Sequence, residues 1–129
     1  SDVEAVRLFR LAADQEDATA QNNLGAMYDN GKGVPESDVE AVRWYRLAAD
    51  QGDVTAQSNL GFMYASGDGV PRDLVFAHMW FGLSAAQGNE TAQSNNEKIE
   101  QVMTREQIAE GQRLATEWLA AHPSGNYPP

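Results

Sequence analysis

The sequence predicts an all-α fold of stacked antiparallel helix pairs, an α/α solenoid, and three observations carry that prediction. The first is self-similarity: residues 2–35 and 38–71 are identical at 25 of 34 aligned positions, at an offset of 36. That period is in the range of two-helix repeats. The second is spacing, since Ala41, Trp44, Tyr45 and Ala48 recur three and four residues apart and form one apolar helical stripe. The third is that no run of alternating β-branched residues marks a strand. A helix pair cannot bury its stripe alone, so such pairs stack with contacts between neighbours only.

Seven helices are expected, over about 2–15, 18–30, 38–51, 54–66, 73–87, 90–103 and 105–121. The first opens on Ser1 and Glu4, which have the spacing of a capping box, and Ser37 with Glu40 repeats that signal for the third. The fourth follows Asp53, a good N-cap, and carries Ala56, Leu60, Met63 and Tyr64 on one face. It stops at the Gly67–Gly69 loop, where glycines permit positive φ and Pro71 prevents continuation. The second helix follows the fourth at the repeat offset. The fifth and sixth belong to a weaker third copy. In it Trp80-Phe81 repeats Trp44-Tyr45, Gln87-Gly88 repeats Gln51-Gly52, and Ala92-Gln93-Ser94-Asn95 repeats Ala56-Gln57-Ser58-Asn59. Small residues at Ala12-Ala13, Ala48-Ala49, Gly25 and Gly61 mark close helix crossings.

The third copy then departs from the rule. Asn96-Glu97 stands where Leu60-Gly61 stood, and no GxGVP loop follows. Thr104 and Gln107 instead open a last helix with Ile108, Leu114, Ala115, Trp118 and Leu119. The organisation read from this is one repeat domain over 1–129. It comprises a half repeat (1–15, second helix only), repeats at 18–51 and 54–87, a divergent last repeat with a C-terminal capping helix (90–121), and a frayed tail (122–129). Val3, Val6 and Phe9 have nothing before them to stack on. Either further repeats precede Ser1 in a longer protein, or this uncapped edge pairs with another copy and makes a homo-oligomer.

Composition narrows the partners. Nineteen Asp and Glu against nine Lys and Arg give a net charge of −10, which argues against nucleic acid or an anionic membrane surface. Without cysteine there is no disulfide framework, thiolate nucleophile or Cys-ligated zinc. No stretch approaches the ~18 apolar residues of a membrane span. The compartment stays open: cytoplasmic, or periplasmic or secreted if a signal peptide has been removed.

The motifs AQSNLGFMYASGDGVPRD and AVRWYRLAADQG closely resemble Sel-1-like repeats, of the wider tetratricopeptide class, over roughly residues 2–95. The ending AHMWFGLSAAQGN…MTREQIAEGQRLATEW is similar to the closing segment of bacterial members. The resemblance implies a right-handed superhelix and an interaction scaffold or adaptor that binds a protein or peptide. It names no ligand.

Comparison of the two close copies points to a candidate binding face. Four of their nine differences fall at 22/58, 26/62, 29/65 and 30/66, spaced i, i+4, i+7 and i+8 on one helix face. That face is expected to lie away from Leu60, Met63 and Ala56, and by the resemblance to line a concave groove. Solvent-facing positions also drift freely, so the variation by itself is open to both readings. The candidate partner-binding residues are Asn22, Asn23, Asp29, Asn30, Ser58, Asn59, Phe62, Ser66 and Asn95. Phe62 either anchors a partner or tucks against a neighbouring helix. Asn23, Asn59 and Asn95 recur in three successive copies, and such an amide column either holds an extended peptide backbone or bonds one helix to the next.

The arginines read as surface pairs, Arg10 with Asp14, Arg46 with Asp50, Glu4 with Arg7 and Glu40 with Arg43. An anion site on Arg43 and Arg46 is the alternative. Nothing reads as catalytic or as a cofactor or metal site. His78 and His122 have no second histidine at metal spacing, and the serines lie in no GxSxG elbow. Gly31-Lys32-Gly33 lacks the strand and the Ser/Thr of a phosphate loop, and Asp29 and Asp68 lack calcium-loop spacing. Within the family that the repeats resemble, hydrolytic activity is attributed to some cysteine-rich members, whose disulfide-bonded helices are missing here. The leading expectation is a peptide- or protein-binding scaffold, the alternative a self-assembling structural module, and a hydrolase comes third.

Overall fold

The computed structural model describes residues 1–123, and all the regular structure among them is helical: α1 (Asp2–Ala13), α2 (Ala18–Asn30), α3 (Asp38–Asp50), α4 (Val54–Ser66), α5 (Leu74–Ala86), α6 (Glu90–Glu100) and α7 (Arg105–Ala121). Residues 124–129 of the tail expected to fray (122–129) thus lie outside the described residues.

Local chemistry sets each start. Asp17, Asp53, Asp73 and Asn89 cap α2, α4, α5 and α6, each accepting from the backbone N–H three residues on. Thr104 and Gln107 form the full reciprocal box at α7, with bonds of 3.1 and 2.9 Å. The boxes expected at Ser1 and Ser37 are only half made. Each hydroxyl accepts from Glu4 or Glu40 N at 3.2 Å, but the glutamates turn to Arg7 and Arg43. A cation one turn further on outcompetes a neutral backbone N–H.

The ends of α2, α4 and α7 fall where the sequence suggested, those of α3 and α5 within one residue, and those of α1 and α6 two and three residues short. Helix α1 stops at Ala13, and Glu16 adopts φ +66°, the only non-glycine with positive φ among the described residues. The equivalent positions are Gly52 and Gly88, at φ +92° and +98°. Helix α6 stops at Glu100, because Gln101, Val102 and Met103 tighten into bonds to residues three back.

Helices join through glycines. A Cβ on Gly25 would lie 2.7 Å from the Tyr45 ring, and one on Gly61 would lie 2.7 Å from the Phe81 ring. The Tyr45 ring thus seats α3 on α2, and the Phe81 ring seats α5 on α4. Gly33 and Gly69, both at positive φ, press the two GxGVP loops onto the backbone at Asp2 and Asp38, where a Cβ would come within 2.4 Å of a carbonyl oxygen. The last helix reuses the device in a new place, packing on α5 with Gly111 against the His78 ring.

Two apolar clusters result. The smaller holds Val6, Ala13, Ala20, Leu24 and Trp44; the larger runs from Ala41 to Trp118 and centres on Leu60, Met63, Phe81 and Leu83. Trp80 and Trp118 meet edge to face at 6.0 Å and close its far end.

Gly61→Ala should therefore cost about 1–3 kcal/mol in urea unfolding, since the added methyl must displace the buried Phe81 ring. Gly82→Ala is the control: its Cβ meets only Asn96 Nδ2 at 3.8 Å. It should be neutral, or stabilising by up to about 1 kcal/mol from helix propensity. Glu16→Gly, which relieves the left-handed residue, should stabilise by about 0.5–1 kcal/mol in the same assay, a folded-state gain partly offset by the looser unfolded chain.

Candidate functional site

The nine candidate residues do not share one surface. Phe62 is 55% exposed, Asn30 and Ser66 are exposed, and Asn23, Asp29, Asn59 and Asn95 are half-buried. Asn22 and Ser58, expected off the core, are buried instead, at 9% and 8% exposure. The reason at Asn22 is the stack itself: Asn59 of α4 donates from Nδ2 to Asn22 Oδ1 at 3.0 Å. Of the two readings of the asparagine column, that bond is helix to helix at Asn59. In the third copy Asn96, next to the column, donates to the His78 carbonyl at 3.4 Å.

The remaining residues gather where α2 and α4 end. Asn30 Nδ2 donates to Ala26 O at 2.9 Å, along its own helix. The Ser66 hydroxyl lies 2.9 Å from both Phe62 O and Asp68 Oδ2. Asp29 accepts from the Tyr45 hydroxyl at 3.1 Å. Burial raises the Asp29 carboxyl above its ordinary range; the Tyr45 bond works against this, and repulsion from Asp38 and Asp68 adds to it. Burial, Asp29 and Asp38 likewise push the Tyr45 phenol up.

Two polar relays escaped the sequence reading. Gln51 Nε2 donates to Gln21 Oε1 at 2.8 Å, and Gln21 Nε2 to Ala13 O at 3.3 Å. One repeat on, Gln87 donates to Gln57 at 3.1 Å, and Gln57 to Ala49 O at 3.3 Å. The expected pairs of Arg10 with Asp14 and Arg46 with Asp50 do not form among the described residues; the two arginines instead donate to the Tyr28 and Tyr64 hydroxyls and lie over those rings. The available signal was identity between copies at polar positions flanking a buried stripe.

Comparison with known proteins settles the lineage. Residues 1–17, 18–53 and 54–89 each match the Sel1 repeat. The chain belongs to the Sel1 repeat family. No curated protein matches it. Among solved structures, it is similar to a protective antigen of uropathogenic Escherichia coli strains with an SLR fold, at 34% identity and a TM-score of 0.91. The match covers 95% of this chain and 27% of the antigen's. A Sel1 repeat protein from Oxalobacter formigenes is also similar, at 41% identity and a TM-score of 0.72, over 76% of this chain and 74% of that one.

Both histidines of this Sel1 chain are engaged in packing. His78 is 4% exposed and its Nε2 donates to Glu100 Oε2 at 2.7 Å, while Nδ1 faces the backbone at Gly111. His122 stacks on Trp118 at 3.9 Å and donates from Nδ1 to its carbonyl. A cavity of about 280 Å³ between α5 and α7 has mostly apolar walls, among them Leu83, Ala115 and Leu119. No group of three or more His, Asp or Glu side chains among the described residues is placed to hold a metal. No helix of the described residues is long and apolar enough to cross a membrane.

The raised Asp29 carboxyl fixes a pH signature. A folded-state value above the unfolded one means the ionised carboxylate opposes folding at neutral pH, and that opposition fades as pH falls through its titration. Asp29→Asn keeps an acceptor for Tyr45 and removes the charge. The variant should be the more stable at pH 7 by urea unfolding, with the gap closing as the buffer is taken below the Asp29 range.

Proposed function

We propose that this chain is an interaction scaffold that takes a peptide or protein segment on the groove formed by α2 and α4. The observation that carries the reading is Phe62, a large aromatic left 55% exposed on a helix whose Leu60, Met63 and Tyr64 are buried in the stack. Exposed aromatics at rigid positions are the common anchors of protein interfaces. Sel1 repeats in general serve as interaction scaffolds, and packing on both flanks holds this face ready without a folding cost on binding. The activities and partners of the longer antigen chain, of which this chain spans about a quarter, are no guide beyond that. The histidine geometry and the apolar cavity favour a binding role over a hydrolytic one.

A second reading rests on α1. Leu8 is 53% exposed although its counterpart Trp44 is 4% exposed, and Val3 and Leu11 beside it are exposed too. That edge is the place for a second copy in a self-assembling module. The two readings separate in one series of measurements. Peptides selected by display against the intact chain should lose about tenfold or more in affinity on Phe62→Ala, with circular dichroism unchanged. Unchanged affinity eliminates the groove. Mass that grows with concentration in light scattering, and reverts on Leu8→Glu, supports the edge instead.

A further inference from the structure

The outward strip of α4, from Phe62 through Ser66 to the loop at Asp68, has a charge environment that selects its occupant. Phe62 and Ser66 share the exposed side of α4, with Ala65 partly buried beside them against the core, and Ala26, Asp29 and Asn30 hold the corresponding places on α2 one repeat earlier. At the place of Phe62, α2 thus carries the small Ala26, and Asp29 and Asp68 lie further along toward the ends of the two helices. The Ser66 hydroxyl, within 2.9 Å of Phe62 O and of Asp68 Oδ2, ties the aromatic end of the strip to the acidic end.

The acidic end is short of cations. Asp38 and Asp68 both repel the Asp29 carboxylate, and none of the three makes an ion pair among the described residues. Helices α2 and α4 both terminate there, at Gly31 and Gly67, with no basic residue in either last turn. Each such C-terminus adds a partial negative charge of about half a unit. Glu36, against Gly31, adds a further carboxylate. The nearby cations are Lys32 in the α2–α3 loop and Arg72, whose Nε is committed to Ala65 O at 3.0 Å.

We propose that this strip docks a cationic peptide segment, with an apolar side chain on Phe62 and flanking Lys or Arg side chains toward Asp29 and Asp68. The proposal rests on the groove reading and adds the chemistry of the partner. The two parts act differently. Phe62 supplies desolvated contact area, and the carboxylates supply attraction and register, which salt weakens. A polyanionic segment meets repulsion at the same place.

The test uses a fluorescein-labelled nonapeptide with lysines flanking a central phenylalanine, and a twin with glutamate for lysine. Anisotropy is read at about 0.15 M ionic strength, where diffuse attraction is screened beyond about 8 Å. The lysine peptide should bind the intact chain and the glutamate twin should not. Phe62→Ala and the double variant Asp29→Asn/Asp68→Asn should each weaken binding by about tenfold. The pair Asp50→Asn/Glu90→Gln, exposed acids elsewhere, makes the same change in net charge and should weaken it by less than about twofold. Equal losses in the two double variants, equal binding of the twin, or no binding of the lysine peptide each overturn the proposal. If display-selected peptides still need Phe62 but carry no positive charge, the groove survives and the cationic partner does not. If Phe62→Ala changes nothing for either peptide set, both fall.

Discussion

The stack depends on one steric constraint: a ring on one helix must reach the bare backbone of another. Gly25 under Tyr45 and Gly61 under Phe81 bring α2 to α3 and α4 to α5 closely enough to exclude water from Leu24 and Leu60, both 0% exposed. A methyl group at either glycine would fall well inside van der Waals contact. The helix pairs then acquire their other features as consequences. Buried glutamine relays satisfy the carbonyls of the buried Ala13 and Ala49 at the α1–α2 and α3–α4 joints. The phenols of Tyr28 and Tyr64 emerge at the surface, where Arg10 and Arg46 meet them.

The same constraint explains how the repeat ends. At the third copy the glycine position is Glu97, exposed, and no ring is seated there. The chain instead carries the glycine on α7 and the ring on α5, so Gly111 and His78 exchange the usual roles of the two helices. With its ring held between α7 and the Glu100 carboxylate, His78 is a fastener of the last three helices.

Helix number, order and starts were legible in the sequence, because capping residues and a 36-residue period act through near neighbours. Ends were less so. Glu16 takes a left-handed conformation that its side chain does not announce, and only its alignment with Gly52 and Gly88 reveals it. The candidate face was read in outline, since Phe62, Asn30 and Ser66 are indeed exposed. It was misread at Asn22 and Ser58 because helical periodicity locates a residue around its own helix and is silent about the next helix in the stack. The Asp29–Tyr45 bond had a signal that went unused: where Asp29 becomes Ala65, Tyr45 becomes Phe81, and hydroxyl and acceptor are lost together.

That paired loss bears on how such arrays are inherited. Tyr45 with Asp29, Gly25 with Tyr45, and Gln51 with Gln21 all lie inside the unit 18–53, while Phe81, Ala65, Gly61 and the Gln87–Gln57 relay lie inside 54–89. Joints between units mostly use backbone atoms, or arginine and tyrosine shared by both copies. A unit can thus differ at its internal pairs while most of its couplings stay standard, the Asn59–Asn22 bond being an exception. Recombination that duplicates or deletes one 36-residue unit in this frame carries these internal pairs along intact, whereas the Asn59–Asn22 bond and the Asp29–Asp68 neighbourhood span two units and change with the order of the array.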